Sequence, residues 1–234
     1  MTEKSLIIAI DGPSGAGKGT IAKAVAHRLG YRHVDTGAMY RAIAWRAVQM
    51  GLSFEDEAAV VALARKAVLK TESVIEIDGY DVTEAIRTSE IDTAAAVVAR
   101  IPAIREVLVA RQRAIGSHGG VVMEGRDIGS IVFPDADIKI YLDASPEERA
   151  RRRGLDRIHK GEVDCGEEGV ATALAKRDRL DRNRHVSPLR VPSGAVVIDT
   201  TAVSVEEVVT RVMSCIFDDT NRTEARESRD SGSC

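Results

Sequence analysis

Lys18 closes the run Gly12-Pro13-Ser14-Gly15-Ala16-Gly17-Lys18, in which a glycine, four residues, a glycine and a lysine follow the spacing of a phosphate-binding loop. That chemistry needs backbone N–H groups converging on an anion, with glycines at Gly15 and Gly17 where side chains would block the approach. The lysine then bridges the terminal phosphates of a nucleoside triphosphate. Out of context the same run is a glycine turn with a solvated lysine. The next position, where Ser or Thr usually holds Mg²⁺, is Gly19, and Thr20 follows it.

Further candidates lie downstream. Arg177, Asp181 and Arg184 are spaced i, i+4, i+7, so a helix places them on one face, either as phosphate-gripping groups or as a salt-bridge ladder. Arg149, Arg152 and Arg153 recur at i, i+3, i+4; Arg152 and Arg153 are candidates for donor phosphates, and Arg149 is expected at the surface. Thr36 and Arg41 follow one apolar segment and read either as ligand contacts or as a helix cap and a surface arginine. Arg126 and Asp127 follow another, where charged groups reach reacting phosphates, and Glu124 just before them would be costly to bury alone.

The elements that must position these residues alternate. Ser5–Asp11 is an apolar run of strand length, and Lys18–Leu29 carries a helical stripe of Ile21, Ala22, Val25, Ala26 and Leu29 ended by Gly30. The phosphate-loop match therefore follows a buried strand and opens a helix, the setting in which a helix N-terminus binds an anion. Strands are predicted at 31–35, 120–124, 137–143 and 195–199, and helices at 38–50, 55–70, 102–115, 146 onward, 170–184 and 205–216. Ser145-Pro146-Glu147-Glu148 supplies an N-cap, a proline at the first helical position and a capping-box Glu. Val74–Ile77 before Asp78-Gly79 suggests a small hairpin ending near Thr83. Residues 50–100 read as an insertion with its own small fold, and 154–170, glycine-rich and polar, as a mobile flap within a lid of about 151–170. The pattern implies an α/β doubly wound parallel sheet of about five strands in one domain over 1–217, with a disordered polar tail at 218–234.

Composition narrows the partners. The 234 residues carry 33 basic and 36 acidic groups, a net charge of -3, yet Arg149–Arg190 holds 12 basic against 7 acidic. A basic segment in an otherwise acidic chain suits a small anionic ligand rather than a nucleic acid polymer. Aromatic residues are 3% of the chain, too few for base-stacking platforms. Three cysteines without metal-ligand spacing fit a reducing compartment, and the apolar run Leu6–Ile10 is too short for a leader or membrane span, so a cytoplasmic monomer without membrane contact is expected.

Four stretches carry a resemblance. Gly17-Lys18-Gly19-Thr20 is similar to the loop of nucleoside monophosphate kinases. Asp35-Thr36-Gly37-Ala38-Met39-Tyr40-Arg41, then Glu124-Gly125-Arg126-Asp127-Ile128-Gly129 with Val132-Phe133-Pro134, and Arg177-Asp178-Arg179-Leu180-Asp181-Arg182-Asn183-Arg184 resemble the bacterial cytidylate kinases in particular. The resemblance spans residues 5 to about 215 and implies a P-loop kinase using ATP and Mg²⁺ to phosphorylate CMP or dCMP. It implies that Gly12 to Thr20 hold the donor phosphates, that Thr36 helps recognise the base, that Arg41 and Arg126 contact acceptor phosphate, and that Asp127 contacts sugar hydroxyls. It further implies that Arg177 and Arg184 grip phosphates, that Arg105 and Asp181 serve the cytidine end, and that Lys18, Arg126, Arg177 and Arg184 supply the catalytic positive charge. The insertion at 50–100 would then be an acceptor-binding subdomain. Other readings are a related small-molecule kinase or a nucleotide-dependent switch; no Asn-Lys-x-Asp guanine-reading stretch supports the switch.

Overall fold

The structure is a computed structural model and describes residues 5–71, 74–159, 166–184 and 186–230. In chain order the elements are β1 (Ile7–Asp11), α1 (Lys18–Leu29), β2 (Arg32–Asp35), α2 (Thr36–Gln49), α3 (Glu57–Lys66), β3 (Leu69–Thr71), β4 (Ile75–Ile77), β5 (Tyr80–Asp81), α4 (Ser89–Val98), α5 (Pro102–Gly116), β6 (Val121–Gly125), β7 (Ile138–Asp143), α6 (Pro146–His159), α7 (Gly166–Arg182), β8 (Val196–Asp199) and α8 (Val205–Asp230). Five strands form one sheet in the order β2-β6-β1-β7-β8, and every pairing is parallel. Register brings Asp11 beside Gly125 and Asp35 beside Glu124, so the carboxyl ends of three strands meet along one edge.

Alternation along the strands builds the two faces. Ile8, Ile10, Val122, Ile140 and Leu142 pack with Ile21 and Val25 of α1 and with Val208 and Val212 of α8. Ala9, Val34 and Met123 turn to the other face, against Ile128 and Val132. A third apolar cluster joins Met39 and Ile43 of α2 to Val60, Ile77, Ile91 and Leu108, so the insertion is bound to the main body through α2 and α5. Within it, β3, β4 and β5 form a small antiparallel sheet.

Local chemistry explains most boundaries. Gly30 takes φ 65° and the Tyr31 N–H donates to the Ala26 carbonyl, closing α1 where its stripe ends. The Ser145 hydroxyl accepts from the Glu148 N–H, and Pro146 is the first helical residue of α6. The reciprocal half of that capping box does not form, because the Glu148 carboxylate is held by Arg151 and Arg152.

Four expectations are corrected. The helix expected over 55–70 stops at Lys66, and Leu69–Thr71 leaves it to pair with β4. The segment 154–170 is helical up to His159 and again from Gly166, and 160–165 lie outside the described residues. The helix expected to reach Arg184 ends at Arg182. Helix α8 continues past Ile216 to Asp230 because no Gly or Pro interrupts 205–230, so most of the expected disordered tail has a helical backbone. Among the described residues no helix is long and apolar enough to cross a membrane.

Candidate active site

Between β1 and α1 the chain turns through Gly12, Gly15 and Gly17 at φ 149°, 81° and 87°. The first two positions admit nothing larger than glycine. A Cβ on Gly12 would stand 2.0 Å from the Leu142 carbonyl oxygen, and one on Gly15 2.8 Å from that of Arg149. Lys18 opens α1 from a buried position, and its Nζ donates back to the Pro13 carbonyl at 2.8 Å. Burial pushes its ammonium down to about 7, with the Arg126 charge adding to the effect.

This loop forms one wall of a cleft of about 1550 Å³. Ser14, Gly15, Gly17, Lys18, Gly19 and Thr20 line it, whereas Gly12, Pro13 and the fully buried Ala16 do not. The remaining walls hold all the residues expected on the acceptor side: Thr36, Arg41, Arg105, Arg126, Asp127, Arg177, Asp181 and Arg184. They come from α2, α5, the turn after β6, and α7 with the residues just beyond it, positions up to 148 apart in the chain that the sheet edge gathers.

Opposite charges organise these walls. Arg105 and Asp127 form a buried pair, and the Arg105 guanidinium lies over the Tyr40 ring at 5.5 Å. Asp181 accepts from Arg126 Nε at 3.1 Å and, through its other oxygen, from Arg184, which lies just beyond the end of α7. Burial would raise the Asp181 carboxyl, but the guanidinium groups of Arg126, Arg184 and Arg177 outweigh it and hold the acid below its ordinary range. Arg41 donates to Asp35 at 2.7 Å, while Asp35 also caps α2 by accepting from the Ala38 N–H. The Thr36 hydroxyl donates to the Glu124 carbonyl at 2.7 Å. Glu124 itself is buried but not alone, since His33 Nε2 lies 3.0 Å from its Oε1.

The lid arginines separate. Arg153 lines the cleft, whereas Arg152 is turned to Glu148 and to both oxygens of Thr200. Arg149 is not at the surface: it is 6% exposed, pairs with the buried Asp178 of α7 and donates to the Ser14 carbonyl of the loop at 3.2 Å. A partner 29 positions away and a loop carbonyl 135 positions away gave that arginine a burial its own neighbourhood does not signal.

Sequence reasoning missed two further residues. Asp11 ends β1 fully buried, and its two oxygens accept from the Ile128 and Gly129 N–H groups at 2.8 and 2.7 Å, fixing the turn that aims Arg126 and Asp127. Burial pushes its carboxyl up to about 6 despite those bonds. A charged residue ending an otherwise apolar strand was the available signal. Asp92, on α4, takes up Arg153 and faces Arg177 Nη1 at 3.5 Å; nothing in its Ala-rich surroundings marks it.

Solved structures show the same fold at low identity. A gluconokinase from Sinorhizobium meliloti 1021 superposes with a TM-score of 0.52 at 14% identity, covering 95% of this chain and 98% of its own. A shikimate kinase from Bacteroides thetaiotaomicron gives 0.50 at 13%, covering 90% and 98%. Sequence relatives reach further. A cytidylate kinase from Desulfitobacterium hafniense (strain Y51) is 47% identical over 93% of this chain and 94% of its own length. One from Bacillus subtilis (strain 168) is 45% identical over 92% and 97%. The sequence profile of the cytidylate kinase family matches residues 8–218, from the first strand of the sheet into its last helix and across every wall of the cleft, and the chain belongs to that family.

Proposed function

We propose that this protein transfers the terminal phosphoryl group of ATP to CMP or dCMP, releasing ADP with CDP or dCDP. The observation that carries this reading is the single cleft in which the phosphate loop faces Arg41, Arg105, Arg126, Arg177 and Arg184. A triphosphate and a monophosphate thus have separate positive walls, and Arg126 is near enough to Lys18 to depress its pKa.

The chemistry follows from positioning and charge. The transition state spreads negative charge over equatorial oxygens, so in-line placement and fixed cations supply most of the acceleration. An acceptor phosphate is already anionic at neutral pH and needs no general base. Lys18 and the loop N–H groups hold the donor, Arg126, Arg177 and Arg184 screen the approaching phosphates, and Arg41 seats the acceptor phosphate. Asp181 keeps lone pairs beyond those given to Arg126 and Arg184, enough to accept from the exocyclic amine of cytosine. Asp127, fixed by Arg105, would meet the sugar hydroxyls under this reading.

Among the described residues no cluster of three His, Cys, Asp or Glu forms a metal cage. Mg²⁺ fits all the same, because it keeps several waters and is held by phosphates with few protein groups. Glu124 Oε1 lies 3.2 Å from where a Cβ on Gly19 would stand, so the missing side chain at 19 leaves room for a carboxylate arm beside the loop. Glu124 and the Thr20 hydroxyl are the groups to hold the hydrated ion, which would neutralise charge developing on the phosphate oxygens.

Under this reading the insertion covers the acceptor and the α6–α7 pair covers the donor, shutting out water. A cleft completed by one chain supports a monomer, and three cysteines without metal-ligand spacing support a cytoplasmic enzyme. The test is ADP release from ATP and Mg²⁺ with CMP, dCMP, UMP, AMP or GMP, and without acceptor. Turnover confined to cytidine nucleotides is expected, and equal slow hydrolysis in every tube would refute the acceptor assignment.

A further inference from the structure

Asp92 stands in the first turn of α4, on the insertion, yet its partners belong to the opposite wall. One oxygen takes the Arg153 guanidinium of α6, and the other faces Arg177 Nη1 of α7 at 3.5 Å. Its side chain is 15% exposed. Burial would raise its carboxyl, but Arg153, Arg177 and Arg41 outweigh that and hold it below the ordinary range. Arg153 and Arg177, from two elements and both assigned to nucleotide phosphates, thus share one carboxylate from a third, and the charge of Arg41 acts on it as well. Among the described residues the buried Nε atoms of Arg41 and Arg177 have no hydrogen-bond acceptor, so these guanidinium groups keep donors to spare.

A carboxylate held between two arginines offers the chemistry of a phosphate with less charge and one fewer oxygen. We propose that Asp92 is a built-in stand-in for a substrate phosphate: it latches the insertion to the lid helices and holds Arg153 and Arg177 in place until a nucleotide phosphate displaces it. This rests on the reading of the cleft as a nucleotide phosphate site. Asp92 is then a positioning residue with a cost. It orders the arginines in the free protein and competes with the phosphate that replaces it, so it stabilises the free form more than the bound form.

That difference separates a latch from an ordinary structural ion pair. Thermal unfolding of the full chain and its Asp92→Asn and Asp92→Glu variants, free and saturated with CMP plus ADP and Mg²⁺, is read beside nucleotide dissociation constants from titration. Asp92→Asn should unfold earlier than wild type when free and match it when saturated, with nucleotide bound roughly three- to tenfold tighter. Asp92→Glu, which keeps the charge, should stay near wild type in both measures. An equal fall in the free and saturated midpoints, or dissociation constants that fail to tighten, would overturn the latch while leaving the kinase reading intact. A wild-type midpoint that nucleotide does not move would overturn both.

Discussion

Lys18 is held in the free protein with its ammonium pushed down to about 7 by burial, beside the positive Arg126. Phosphates bound at the loop would supply the opposite charge and return that pKa toward the ordinary lysine value of 10.5. Above pH 7 the free lysine has lost its proton and the bound one has regained it, so nucleotide binding takes up a proton. Calorimetry at pH 8 in buffers of different ionisation enthalpy should show net uptake on ATP binding, and Lys18→Met should abolish it; uptake unchanged in the variant would assign the proton elsewhere. Lys18→Ala should lower turnover by about a hundredfold or more, since the lost cation acts on charge that develops in the transition state. Its melting temperature should not fall, because the change removes an unfavourably buried ammonium. Lys18 was legible from the spacing of its loop, whereas Arg41, Arg105, Arg126, Arg177 and Arg184 were singled out as phosphate or cytidine groups by the family resemblance. Asp11, Asp92 and the burial of Arg149 were not legible, since each depends on a partner brought near only by the fold.

The pair Arg149–Asp178 ties α6 to α7, and Arg149 also reaches the loop through the Ser14 carbonyl. Arg149→Ala leaves Asp178 buried without its counter-charge and should cost about 3–5 kcal/mol in denaturant unfolding. Replacing both residues, as in Arg149→Met with Asp178→Leu, should recover most of that stability while weakening nucleotide binding, because the contact with Ser14 is gone. A double variant no more stable than the single one would place the cost in lost packing instead. Gly12→Ala should be the most disruptive change in the loop, since its Cβ would overlap the Leu142 carbonyl at 2.0 Å at φ 149°. The five strands of the sheet were legible from apolar runs bounded by glycine, proline or aspartate, with ends correct to within about two residues. Legibility failed where two states suit one sequence. Residues 67–70 continue the helical stripe of α3, yet Leu69–Thr71 find a strand partner in β4, and 218–230 are polar yet contain no helix breaker.

At the scale of the whole molecule, one sheet edge collects the loop after β1, the capped start of α2 and the turn after β6, while the insertion and the α6–α7 pair stand over it. The order of elements pointed to this arrangement. That the insertion and lid meet through Asp92 was invisible in it, because two helices must first be folded onto the same cleft. Under the proposed function the two positive walls serve donor and acceptor phosphates of one transfer. Phosphorus NMR of ATP, Mg²⁺ and CMP with the enzyme tests it most directly, by following every phosphate at once. CDP and ADP should appear in equal amounts with no inorganic phosphate. Inorganic phosphate accumulating with ADP while CMP stays unchanged would contradict it.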